Sequence, residues 1–137
     1  MPMVKTRYED EVIELHQFFQ DWFNGTLALT IENFARFTEV LSEDFIIVGP
    51  NGKVTERAPL VNDLMDAHNS RLKLKIWIEN FQLRHREGHI TVATYEEWQQ
   101  LADGETTTRL STVVFREEAG TPNGVVWVHV HETWLEG

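Results

Sequence analysis

A chain of 137 residues, 42% hydrophobic and 11% aromatic, is sized for one folding unit around one core, and residues 1–137 read as a single domain. It contains no cysteine, which excludes disulfides, thiolate metal sites and cysteine nucleophiles. Twenty-two acids against 12 lysines and arginines leave a net charge of −10, which disfavours nucleic acid and anionic membranes, since both are bound through clustered bases.

Met1–Lys5 carry no apolar run of signal-peptide length, and no segment approaches the roughly 20 apolar residues of a membrane span, so a cytoplasmic location is expected. Thr6 and Glu9 form a capping-box pattern that starts a helix, with Val12, Leu15, Phe19, Trp22 and Phe23 on its buried side and Asn24-Gly25 stopping it. Thr30 caps a second helix that buries Ile31, Phe34, Ala35 and Leu41. Residues 44–48 are a β-branched first strand, and Gly49-Pro50-Asn51-Gly52 turns the chain into a short strand over 53–55. Pro59 fits the first turn of a third helix that ends near His68 to Ser70.

Four long β-type stretches follow, about 71–86, 89–102, 106–118 and 125–135, separated by Glu87-Gly88, Asp103-Gly104 and Gly120 to Gly124. Helices first and hairpins after predict an α+β fold, three N-terminal helices packed on a curved antiparallel sheet of about six strands.

Strand alternation sorts the sheet residues into two sets. Ile90, Val92, Thr94, Glu96, Trp98, Thr108, Leu110, Thr112, Val114, Val126, Val128, Val130, Glu132 and Trp134 grade from apolar to polar, which predicts the helix-covered face with a cavity at its polar end. Tyr95, Arg109, Trp127, His129 and His131 belong to the other set, whose rings and histidines predict a homodimer interface. A misplaced bulge would exchange these assignments locally.

Within the expected cavity, Glu96 and Glu132 are the candidate proton-transfer groups, because a carboxyl buried beside Trp98 has its pKa raised by desolvation. A solvated or arginine-paired role for either remains the alternative. Trp98, Thr94, Thr112 and Val130 would line the ligand, with Trp22 and His68 at the wall and mouth; core packing for Trp22 and dipole complementation for His68 are the competing readings. His129 and His131 stand two apart on a strand but lack a third ligand, so no metal site is expected. No cofactor is expected either: no phosphate loop, catalytic triad order or metal-binding string occurs.

The aromatic first helix, Asp44-Phe45 entering a strand, the Gly49-Pro50-Asn51-Gly52 turn before Lys53-Val54, and Trp127-Val128-His129-Val130-His131 in the last strand together resemble the nuclear transport factor 2-like superfamily, its SnoaL-like and kinase-association-domain branches in particular. The resemblance implies a cystatin-like cone, a pocket between sheet and helices, and a dimer through the sheet. It implies no single activity. The superfamily includes isomerases, cyclases, dehydratases and hydrolases that act on small lipophilic or polyketide-like substrates without a cofactor, and also non-catalytic ligand-binding and dimerisation domains. In the ketosteroid isomerase branch an aspartate base precedes the turn proline; Gly49 stands there in this chain, which removes that chemistry. After the His-x-His of kinase association domains comes an arginine, and here it is Glu132.

Overall fold

Residues 6–135 are described by a computed structural model, which gives the element order α1 (Arg7–Asn24), α2 (Ile31–Thr38), β1 (Leu41–Val48), β2 (Val54–Glu56), α3 (Arg57–Asp66), β3 (Lys75–Glu87), β4 (Ile90–Gln100), β5 (Thr106–Glu117) and β6 (Val125–Trp134). Met1–Lys5, where the absence of a signal run was expected, lie outside the described residues. No helix among the described residues is long and apolar enough to cross a membrane.

The caps work as their chemistry requires. The Thr6 hydroxyl accepts the Glu9 N–H at 3.1 Å, and that of Thr30 accepts the Asn33 N–H at 3.1 Å, each satisfying an orphan donor of a first helical turn. Gly25 ends α1 in the left-handed region at φ 77°, where a β-carbon would also stand 2.4 Å from Asn69 Oδ1. β1 starts at Leu41, earlier than residue 44, and β3 starts only at Lys75, because Lys73 turns left-handed at φ 64°.

The sheet runs β2-β1-β6-β5-β4-β3. β3 to β6 pair antiparallel as successive hairpins, whereas β1 lies parallel to β6. The expected all-antiparallel sheet is therefore mixed. The parallel pair costs no extra crossover, since its two strands are joined by β2, α3 and the whole β3–β5 meander.

The alternation of the long strands is one residue out of phase with the expectation. On β4 the buried positions are Thr91, Ala93, Tyr95 and Glu97; on β5 they are Ser111, Val113 and Phe115. The helix-covered face thus carries the set assigned to the interface, and Thr94, Glu96, Trp98, Leu110 and Thr112 face away from the helices. The core is rich in rings: Tyr8, Phe18, Trp22, Phe34, Phe37, Phe115 and Trp127 pack in it beside valines such as Val12 and Val113, with Trp127 and Phe115 edge to face at 4.9 Å. On β6 a register shift between Trp127 and His129 restores the other phase, so Trp127, Val130 and Glu132 all lie on the covered side.

One buried charge ties these layers together. Glu11 on α1 is fully buried and accepts four hydrogen bonds: two from Arg36 on α2 at 2.9 and 3.1 Å, one from Asn123 in the β5–β6 loop at 2.9 Å, and one from the Trp127 indole at 2.9 Å. Removing one partner of such a pair strands the other charge, which costs about 3–5 kcal/mol. Glu11→Ala is accordingly expected to lower unfolding free energy in urea by about 3–5 kcal/mol. A loss below about 1 kcal/mol would mean that water replaces the carboxylate at no cost and that the node does not organise the fold.

Candidate functional site

Between α1, α3 and the covered face lies a cavity of about 290 Å³. Leu15, Phe19 and Phe23 of α1, Phe45 and Ile47 of β1, and Leu60 and Leu64 of α3 form its apolar walls. Its polar end is built by His16 of α1, Tyr95, Glu97 and Gln99 of β4, Arg109 of β5 and Glu132 of β6. Apolar walls with a few convergent polar groups are the usual make-up of a ligand pocket.

His16 is held at both nitrogens. Nδ1 lies 2.7 Å from the Val12 carbonyl and Nε2 lies 3.0 Å from Glu97 Oε1. A carbonyl can only accept, so Nδ1 carries a proton, and an ionised Glu97 requires a second on Nε2: the ring is an imidazolium. The other Glu97 oxygen accepts from the Gln99 amide at 2.6 Å. Burial alone would push the Glu97 carboxyl up, but the charge and hydrogen bond of His16, with Arg109 and Gln99 behind them, overcome it and hold the group well below the usual carboxylate range. For His16, burial is the largest influence and acts to lower the pKa, but the charge and hydrogen bond of Glu97, with the Val12 carbonyl and Glu132 behind them, together overcome it and raise it.

Glu132 lies on the same face in a different environment. Arg109 Nη1 reaches its Oε1 only at 3.4 Å. Burial, then the repulsion of ionised Glu97, push Glu132 up to about 7 against the pull of Arg109 and His16. Two carboxyls on strands that flank β5 are thereby driven apart, one charged at neutral pH and one poised to exchange a proton there. Tyr95 beside them is pushed well above the ordinary phenol range by burial and by the charges of Glu97 and Glu132.

Of the residues singled out from sequence, Glu132 and Val130 line this cavity, delivered there by the β6 bulge and not by the alternation that suggested them. Glu96 does not: it accepts from Asn80 at 3.1 Å and from the Trp98 indole at 3.1 Å on the opposite face. Trp98 stacks on Trp77 at 5.9 Å and faces a shallow recess with Thr106, Thr107, Thr108, Trp134 and Leu135. Thr94 and Thr112 are cross-strand partners on that outer face. Trp22 is a core residue whose indole donates to the Leu64 carbonyl at 2.7 Å, and His68 packs edge-on against it at 4.5 Å while bonding the Leu27 carbonyl at 2.7 Å. Among the expected interface residues, Tyr95, Arg109 and Trp127 belong to the covered face; His129 and His131 remain outside, ring centroids 6.5 Å apart. Among the described residues no group of three His, Asp or Glu could hold a metal ion.

Glu97, His16 and Arg109 were not recognised as cavity residues from sequence. His16 had a readable signal: it continues the Val12, Leu15, Phe19 stripe of α1 at a spacing of four from Val12.

Residues 8–136 match the family model described as sucrose-6-phosphate phosphohydrolase C-terminal. The chain belongs to this family. Sucrose-phosphatase 1 of Nicotiana tabacum is 23% identical over 130 residues, covering 93% of this chain and 30% of its own length. The chain thus spans about a third of the curated relatives it matches. An NTF-2-like protein of unknown function from Pseudomonas aeruginosa superposes with a TM-score of 0.84 at 26% identity, over 95% of this chain and 99% of that one. The CaMKII hub of S. rosetta superposes at 0.67 and 16% identity, over 98% and 100%, a likeness of fold alone. This member of the sucrose-6-phosphate phosphohydrolase C-terminal family is therefore nuclear transport factor 2-like in fold, α+β with a cystatin-like sheet, as the resemblance implied.

The carboxyl pair makes a signed prediction for this family member. A raised carboxyl binds its proton in the folded chain at a pH where the unfolded chain has lost it, so Glu132 makes stability fall as pH rises from about 4.5 through about 7. Glu97, lowered, has the opposite sign: its contribution is present above about 4.5 and lost only under acid. Relative to the parent, Glu132→Gln should therefore gain on the order of 1–3 kcal/mol between pH 4.5 and pH 8 in parallel urea titrations. Parallel pH profiles for the two proteins would show that Glu132 titrates normally.

Proposed function

We propose that this chain binds a compact, largely apolar small molecule in the cavity, with Glu132 as its proton-exchanging group. The observation that carries the reading is the pairing of an apolar chamber with one carboxyl that faces it uncommitted: Glu97 has both oxygens occupied, whereas Glu132 meets one long contact. A carboxyl strongly perturbed by desolvation and a specific charged neighbour, facing a cavity, is a candidate functional group. Acid–base turnover of a lipophilic substrate is within the chemistry of such a group; isomerase chemistry from the β1–β2 turn is not, because Gly49 offers no carboxylate. Hydrolysis of a sugar phosphate, for which the relatives are named, is not part of the proposal. His16 is spent on Glu97, and no metal-binding cluster stands among the described residues to replace it.

A second reading, self-association, is favoured by the outer sheet face. It presents the Trp77–Trp98 stack, with Ile90 and Leu110 exposed and His129 and His131 beside them. Exposed apolar surface of this extent is a feature of interfaces, and some solved proteins of this fold carry the names hub and association domain. A homodimer through this face is the form we propose.

Ligand binding is tested by a thermal-shift panel of small aromatic and lipophilic metabolites, run beside Leu60→Trp, which fills the cavity from α3. A ligand at a hundredfold its Kd stabilises by about 2.7 kcal/mol, and the shift should vanish in the variant. Shifts that survive Leu60→Trp would put binding elsewhere, and a silent panel would remove the reading. For self-association, sedimentation velocity at micromolar concentration should show a dimer that Leu110→Glu converts to monomer; a monomeric parent would sink the idea.

A further inference from the structure

Resting on the cavity reading above, we infer that the ligand is a compact carboxylic acid whose carboxylate seats on the Arg109 guanidinium, with Glu132 beside it as a neutral acid and the apolar body among the phenylalanines. The argument starts from a count of donors. Arg109 has five N–H groups, and its one side-chain acceptor is Glu132 Oε1 at 3.4 Å; its Nε is fully buried with no acceptor at all. One face of the guanidinium is covered by the Trp134 ring at 4.6 Å, which directs its remaining N–H groups sideways. A buried polar donor left without a partner costs about 1–3 kcal/mol. The polar end of the cavity is therefore short of acceptors, and the acceptor that fits a planar guanidinium with two parallel N–H groups is a carboxylate.

The charges facing Glu132 select the same class. His16 comes from α1, Tyr95 and Glu97 from β4, Arg109 from β5, and Arg71, lying over the Phe23 ring, from the segment before β3. α2, α3 and β1 add only apolar groups, among them Phe37, Leu60, Leu64, Phe45 and Ile47. Within the buried cluster, with Glu132 ionised, His16 and Arg109 balance Glu97 and Glu132; Arg71 is exposed at the cavity rim, where water and salt screen its charge. An entering anion would upset that balance in a site of low dielectric, where an uncompensated charge is costly. Glu132 resolves the conflict by taking up a proton, which restores the balance and gives its new O–H a carboxylate to donate to. A cation has no comparable route, because both Glu97 oxygens are spent and no group in the cluster can lose a positive charge cheaply. Binding is thus the uptake of one ligand anion and one proton together.

The probes are phenylacetate, its neutral amide phenylacetamide and its cationic counterpart phenethylamine, each titrated calorimetrically into the parent at pH 6 and pH 8. Phenylacetate should bind, weaken about tenfold from pH 6 to pH 8 as Glu132 ionises near 7, and take up close to one proton at pH 8 when buffers of different ionisation enthalpy are compared. In Glu132→Gln the acid should still bind, with the pH dependence gone. In Arg109→Gln, verified as folded, its affinity should drop tenfold or more. Equal binding of the amide, preference for the amine, or binding of the acid without proton uptake would each overturn the inference; if that binding disappears in Leu60→Trp, the cavity reading survives. Silence from all three probes would count against both.

Discussion

The fold hangs on a carboxylate with nowhere to go. Glu11 has no access to solvent, so its charge is tolerable only while Arg36, Asn123 and Trp127 all reach it, and those residues come from α2, the β5–β6 loop and β6. That requirement fixes the rotation and height of α1 over the sheet. Once the helix is fixed there, His16, one and a half turns further along, points at β4 and meets Glu97. The second buried ion pair is in this sense a consequence of the first. α1 is clamped at two levels, and the space left between it and the curved sheet is the cavity.

The polar end of that space is assembled from four elements, yet its electrostatics form one system. His16 is a cation because its Nδ1 proton is committed to Val12 and its Nε2 faces an ionised carboxylate. Glu97 is an anion because His16 and Gln99 solvate it. The fixed charge on Glu97 then helps to keep Glu132 protonated near neutral pH. Environment, not residue type, separates the two glutamates, and it does so through one helix residue that touches the first carboxyl and not the second.

Much of the architecture was legible because its signals are local. Thr6 and Thr30 announce helix starts through one hydroxyl each, Gly25 announces a stop through its φ, and paired turn residues punctuate the hairpins. Which face of the sheet the helices cover is not a local property. Val92, Thr94 and Val114 look like core by composition, while Tyr95 and Trp127 look like interface; the choice was made by the ring-rich helices, which bury aromatic partners and leave the β-branched residues half exposed outside. An error of one residue in that choice turned Glu96 into a candidate and hid Glu97. The shift at Val128 reversed the phase on β6 alone, which is why Glu132 lies in the cavity although the argument that chose it also chose Glu96. The parallel β1–β6 pair was equally hidden, since its partners lie some eighty residues apart and no turn connects them.

The two buried clusters differ in a way that bears on purpose. Around Glu11 both carboxylate oxygens are filled by donors from Arg36, Asn123 and Trp127, the arrangement expected of a group retained for architecture. Around Arg109 the bookkeeping does not close: Nε is orphaned and the contact to Glu132 is long. A site selected only for stability would shorten that contact or replace the arginine with an apolar side chain of similar volume, which is often neutral or stabilising for buried ion pairs. Incomplete satisfaction next to an open chamber is what the proposed ligand would account for. The scaffold is shared with hubs and with proteins of unknown function alike, so the case for a function rests on the residues at the polar end of the cavity and not on the fold that surrounds it.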